Sequence, residues 1–294
     1  MRKLTIVVGC TNRKSVPPSD GLSVRDLDAC GVEVRAQEWI QRVAAAPAAV
    51  PIVDLYMGET WQQAKMLLAD ANSLGYLPEM FVASAGLGLR PVTSKGPGYS
   101  ATFALGSPDS VATDYPGLLD WWHYVRAQAG AVPAEAVASD SMLVVLSDTY
   151  ARVLSEEIDL WGRHSSDLLL VGGSPVQEPG VPRLPADRAL RHQLGGTASS
   201  LTMRMARQWL AFCDGGALTS KSARDSWRAW AHSVRRVEVY DRAPMDDAEV
   251  VAFIRKVTQD DPTLSATRAL RMLRDSGRAC EQKRFSRLFA ETVV

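Results

Sequence analysis

The feature that most limits the fold is an alternation along the first 175 residues. Five short apolar, β-rich segments lie at residues 4–8, 51–55, 80–83, 142–146 and 168–171. Between most of them run stretches with apolar side chains at helical spacing, at 38–46, 60–71, 118–129 and 149–158. Short apolar runs suit strands covered on both faces. Strands alternating with helices build βαβ units, so the expected class is α/β, a mainly parallel sheet flanked by helices. Such sheets bind ligands outside the carboxyl ends of their strands, so the residues just after each strand carry the most information.

Charge adds a division that the total conceals. The 294 residues hold 33 basic and 33 acidic side chains, which argues against a uniformly basic nucleic-acid coat. A break at Asp214-Gly215-Gly216 separates an expected α/β catalytic domain, 1–216, from an expected all-helical domain, 217–294. The second part carries 15 basic against 11 acidic residues, a net of +4, which leaves −4 for the first. Helical patterns at 247–259, 265–275 and 279–291, with a turn at Ser276-Gly277, read as a helix-turn-helix-like unit. Its last helix would present Gln282, Lys283, Arg284 and Arg287 to DNA, with Arg278 just before it as a further phosphate contact. The alternative is a helical bundle with a solvated basic face.

No apolar run approaches the ~20 residues of a membrane helix. Cys10, Cys30, Cys213 and Cys280 are scattered, without metal-ligand spacing. A reduced, cytoplasmic protein with no metal and no membrane partner is expected. Neither GxxxxGK[ST] nor GxGxxG occurs, so ATP and NAD are disfavoured and no cofactor is expected.

The strand ends hold the candidate site. The first runs into Cys10-Thr11-Asn12-Arg13-Lys14, small and polar residues beside two cations, suited to an anion. The second ends in Asp54-Leu55-Tyr56, with Trp61 following. Asp54 at a strand exit would serve as base or nucleophile, or cap the next helix. Tyr56 and Trp61 would stack on a base, or pack in the core. The third ends in Ser84-Ala85-Gly86, whose glycine lets backbone approach a ligand. The long loop at 91–115 then offers Tyr99, Thr102 and Phe103 to close over a flat substrate, and 172–185 is a second such loop. Asp148 follows the fourth strand and is the second candidate carboxylate, with N-capping as its alternative role. Gly195-Gly196-Thr197, with Ser199, opens an amphipathic helix and would form an anion or base-edge site, with N-capping as the alternative role of Thr197 or Ser199.

In this order, Cys10-Thr11-Asn12-x-Lys14, Leu55-Tyr56-x-Gly58-x-x-Trp61, Ser84-Ala85-Gly86-Leu87-Gly88-Leu89, Gly98-Tyr99-x-x-Thr102-Phe103 and Gly195-Gly196-Thr197-x-x-Ser200 form a series. The series resembles proteins distantly similar to queuine tRNA-ribosyltransferases and the archaeosine-synthase core, over about residues 4–212. Some of those relatives occur in phage-defence loci and act as DNA glycosylases on hypermodified bases. The resemblance implies cleavage of an N-glycosidic bond in DNA, with the base flipped out of the stack, in antiviral defence. The zinc-ligand cysteine cluster of the tRNA transglycosylases is missing here. Two other functions are open: a non-catalytic DNA-binding stress or regulatory protein, which needs no active carboxylate, and an N-glycosidic-bond enzyme acting on free nucleosides or RNA, which would use the same carboxylates.

Overall fold

The computed structural model of the chain describes residues 2–28, 30–173, 180–237 and 242–293. Six strands form the central sheet: β1 (Arg2–Gly9), β2 (Tyr76–Ser84), β3 (Gly88–Pro91), β4 (Ser141–Leu146), β5 (Asp167–Gly172) and β6 (Arg183–Leu184). Their spatial order is β3-β2-β1-β4-β5-β6. All neighbours run parallel except β3, which returns antiparallel along β2. Every residue of β4 and β5 is buried, as a strand covered on both faces requires.

Helices supply that cover: α1 (Val32–Ala45), α2 (Glu59–Ser73), α3 (Tyr115–Val125), α4 (Asp148–Val153), α5 (Ser155–His164), α6 (Leu201–Cys213) and α7 (Lys221–Val234). α1 packs on α3, α2 packs on β2 and α6, and α6 also packs on β4 and β5. Leu201, Met205 and Trp209 form the buried stripe of α6 that its spacing announces.

Four of the five expected strands are present. The exception is 51–55, where Val50–Pro51 forms a brief strand and Ile52–Leu55 turns as a short helix. That turn buries Ile52 and Leu55 while Asp54 faces solvent. The stretch 149–158 divides into α4 and α5 at Leu154, whose buried side chain holds the bend in the core. The segment 91–115 is no open lid: Tyr99, Ala101, Phe103, Val111 and Ala112 are buried in it. Short pairings of Ser23 with Ser100 and Thr102 with Ser110 pin it down. Of the loop expected at 172–185, residues 174–179 lie outside the described residues.

The chain divides into two compact units at Arg236/Val237, twenty residues past the expected boundary at 216. The cause is aromatic packing. Trp227 of α7 lies 5.5 Å from Trp209 and 5.0 Å from Trp230, and Phe212 completes the cluster. A buried carboxylate adds to it, because Asp167 accepts hydrogen bonds from the Leu218 and Thr219 amides at 2.8 Å each. Helix α7 therefore belongs to the first unit.

The second unit contains α8 (Asp247–Asp260), α9 (Ala266–Asp275) and α10 (Gln282–Thr292) around Val250, Ile254, Leu264, Leu270, Leu273, Phe285 and Leu288. It is not wholly helical, since Arg278–Ala279 pairs in parallel with Ala243–Pro244. The connection from α9 to α10 runs from Ser276 to Glu281 and includes that strand. It is therefore longer than the tight turn of a helix-turn-helix. Among the described residues no helix is long and apolar enough to cross a membrane.

Candidate active-site cleft at the strand carboxyl ends

From β1 the chain crosses to β2 on one side, and later to β4 on the other. The loops leaving β1 and β4 consequently diverge and open a crevice, the preferred ligand position in an open α/β sheet. A cleft of about 550 Å³ lies there. Cys10, Thr11, Asn12 and Arg13 line it after β1, and Ser147 and Tyr150 after β4. Met57, Gly58, Glu59 and Thr60 at the start of α2 form another wall. Thr197 and Ser199 at the approach to α6, and Thr202 and Met203 in its first turn, complete it.

The carboxylate of this cleft is Glu59, the first residue of α2. Arg204 donates to its Oε1 at 2.7 Å, Ser200 at 2.8 Å, and the Thr197 amide lies 3.2 Å from Oε2. The Arg204 guanidinium, against opposing desolvation, lowers the Glu59 pKa to about 2, with Ser200 and Thr197 assisting. Gly196 makes this clamp possible. Its φ is +74°, and a Cβ there would stand 2.2 Å from the Glu59 Oε1. The paired glycines thus serve a close approach between a loop and a carboxylate 137 positions earlier.

Beneath the cleft the strand-end motifs converge on a buried cluster. Cys10 Sγ lies 3.0 Å from the Tyr150 hydroxyl, and the Tyr99 hydroxyl reaches the same sulfur at 3.7 Å. Tyr99 also meets Tyr56 at 2.9 Å and Ser84 at 2.7 Å. The Lys14 ammonium stands 4.1 Å from the centre of the Tyr99 ring and donates to the Asn12 carbonyl. Burial pushes the pKa of Lys14 down, partly opposed by Cys10 and Asp109. Burial pushes the phenols of Tyr56, Tyr99 and Tyr150 up, so all three stay protonated as donors.

Several expected roles change. Asp54 is exposed on the short helix and does not line the cleft, so it is not a strand-exit carboxylate. Asp148 pairs with Arg152 at 2.9 Å, one turn along α4, and does not line the cleft; the N-cap is Ser147. Tyr56 and Trp61 are buried against each other at 4.9 Å, with the Trp61 indole donating to the Val53 carbonyl. They are core aromatics, not a stacking platform. Phe103 is buried beside Tyr150 and Trp122, and Thr102 accepts from the Ala104 amide, so neither closes over the cleft. Gly195 precedes the clamp with φ +71° and does not line the cleft. Thr11, Asn12, Thr197 and Ser199 do.

Gly86 approaches the protein's own interior rather than a ligand. A Cβ there would lie 2.6 Å from the Tyr99 ring, while its carbonyl accepts from the Trp39 and Gln128 side chains. Gly86→Ala should displace Tyr99 and cost about 1–3 kcal/mol by overpacking, read from chemical denaturation.

In the second unit Gln282, Lys283 and Arg278 are exposed. Arg284 and Arg287 differ from expectation because both pair with Asp247 of α8, Arg287 also with Glu291. Part of the basic charge therefore ties α10 to α8. Among the described residues no group of three or more His, Cys, Asp or Glu is placed to hold a metal.

Glu59, Tyr150 and Arg204 are the site residues that sequence reasoning passed over, while Ser200 stood in it only as the last position of the Gly195-Gly196-Thr197 motif. For Glu59 the available signal was an acidic residue opening a helix directly after Gly58. For Arg204 no local signal exists. No protein-family model, no curated protein and no solved structure matches this chain.

Proposed function

We propose that this chain is a DNA glycosylase that cleaves the N-glycosidic bond of a modified base and leaves an abasic site, in antiviral defence. The observation that carries the reading is the cleft at the sheet's switch point, which joins strand-end motif residues to one ionised carboxylate. Its size suits a single nucleotide rather than a polymer. The base would be flipped out to enter it.

When the C1′–N bond breaks, its electron pair goes to the base nitrogen and positive charge develops on the sugar. Glu59 stays ionised at neutral pH and stabilises that charge. Water then adds to C1′ and loses a proton to solvent. Thr11, Asn12, Thr197 and Ser199 supply polar groups for the base and phosphate, and Arg13 supplies charge. The exposed cations Arg278 and Lys283 of the second unit hold the DNA backbone.

The deciding experiment incubates the protein with canonical and with hypermodified DNA and measures released base and abasic sites. Release from modified DNA is expected. DNA binding without release would favour a non-catalytic regulator, and release only from free nucleosides would favour the small-molecule enzyme. Arg278→Glu with Lys283→Glu should weaken DNA binding and lower the slope of log K against log salt by about two, since each phosphate contact contributes about 0.9. A fluorescence-anisotropy salt series reads this directly.

A further inference from the structure

A second cavity, of about 600 Å³, lies between the end of α3, the segment 132–135 and α5, and shares no lining residue with the cleft. That volume falls in the range of small-molecule sites. Leu89, Val132, Pro133 and Leu160 give it an apolar wall. Glu157 lines it as well, although this residue is only 2% exposed. Its Oε1 accepts from the Trp122 indole at 2.9 Å and from Arg126 at 2.7 Å. Its Oε2 is covered from solvent and has no donor among the described residues. A buried carboxylate oxygen demands a donor. Trp122 and Arg126 are engaged with the other oxygen, so the cavity is the side left to supply one.

Charge is the second, independent observation. The Arg126 nitrogen that meets Glu157 also meets Glu156 at 2.8 Å, so one guanidinium serves two carboxylates. Glu135 and Asp159 are exposed residues of the same lining, and among the described residues neither has an ion-pair partner. Four carboxylates against the two guanidiniums of Arg126 and Arg163 leave the lining at −2. An anion is disfavoured there, and a neutral apolar ligand would leave Oε2 unmatched. Among the described residues no group of acidic side chains is placed to hold a metal. The fit is to an organic cation. An ammonium brings three N–H donors, methylene groups cover an apolar wall, and a second ammonium balances the remaining charge.

We propose that this cavity binds a small aliphatic polyamine, with one ammonium donating to Glu157 Oε2, the methylene chain along the apolar wall and a further ammonium among the exposed carboxylates. The inference stands apart from the cleft and does not depend on which bond the cleft breaks.

The test is isothermal titration calorimetry of the full chain with spermidine, at neutral pH and low salt. One site with a Kd below about 1 mM is expected. Magnesium chloride probes charge alone, hexane-1,6-diol probes the stem alone, and Nα-acetyl-lysine amide offers the single ammonium that a partner protein would present. Each should bind at least about tenfold more weakly than spermidine. Glu157→Gln should weaken spermidine about tenfold or more, by removing the charged acceptor. Glu135→Gln with Asp159→Asn, at exposed positions, should weaken it about threefold. Ala127→Trp, at an exposed lining residue, should abolish binding by filling the cavity, and still decides if Glu157→Gln opens the fold. Spermidine binding no tighter than magnesium, or indifferent to Glu157→Gln and Ala127→Trp, would overturn the proposal and leave only an acidic surface. Tighter binding of the lysine amide than of spermidine would also overturn it, and make the cavity a socket for a partner's lysine. The titration contains no DNA and scores no base release, so either proposal can fail alone.

Discussion

Replacing Asp167 by alanine should destabilise the first unit by about 3–5 kcal/mol, the largest stability loss expected of any single change considered for this chain. Asp167 is 3% exposed, and its two oxygens collect five donors. They are the Arg2 guanidinium, the Ser141 hydroxyl, the Leu218 amide, and the amide and hydroxyl of Thr219. Removing the carboxylate strands the buried Leu218 amide and the buried Ser141 hydroxyl, each with its desolvation cost, and leaves the part-buried Thr219 amide and hydroxyl without this acceptor. Asp167→Asn should also destabilise, because an amide NH2 would face the N–H groups that the carboxylate accepts. For a unit of this size the alanine change corresponds to a fall in Tm of about 10 °C. Calorimetry should show that loss, together with earlier proteolysis near residue 217, where the chain is tied down by this carboxylate. A loss under about 1 kcal/mol would mean that water replaces the carboxylate without penalty.

Glu59→Gln should lower base release by about 10²–10³-fold, in the range typical for removing one preorganised charge-stabilising group. Glutamine keeps the shape and gives up the ionised charge, so modified-DNA binding should change far less than turnover. The pH dependence follows from the lowered pKa. Glu59 titrates near 2 in the fold and near the ordinary carboxylate value when unfolded. Its contribution to stability is therefore complete above about pH 5 and disappears as pH falls toward 2. The side chain is 30% exposed, so solvent screening leaves about 1 kcal/mol of that contribution. Urea denaturation should find the variant less stable than the parent at neutral pH, with the gap narrowing below about pH 5 and closing toward pH 2. Since Glu59 stays charged through that range, any loss of base release between about pH 6 and 4 belongs to another group. Full base release by Glu59→Gln would remove this carboxylate from the chemistry.

Legibility in the sequence followed the range of the interactions involved. Strands at 4–8, 80–83, 142–146 and 168–171 were readable because an apolar run covered on both faces is a local pattern. The segment 51–55 reads as equally apolar, yet it folds as a turn that brings Leu55 and Tyr56 into the core and turns Asp54 outward. A run of three or four apolar residues does not distinguish strand from helical turn. The aromatic residues divided the same way. Trp61 and Phe103 looked like binding groups only because exposure cannot be read from identity, and both are buried.

The sequence by itself determined the α/β class, the parallel sheet, the places where loops leave the strands, and the small polar residues that gather there. Those properties depend on periodicity and on residues adjacent in the chain. Only the tertiary structure decided that Glu59, rather than Asp54 or Asp148, faces the cleft. It also decided that Cys10 meets Tyr150, and that α7 closes the first unit rather than opening the second. The partners of Glu59 and Cys10 lie 145 and 140 positions away, and no local pattern records which distant element will supply a guanidinium or a phenol. Hydrophobic burial chooses the faces that pack, and the polar groups that meet at the ends of those faces are settled by the packing.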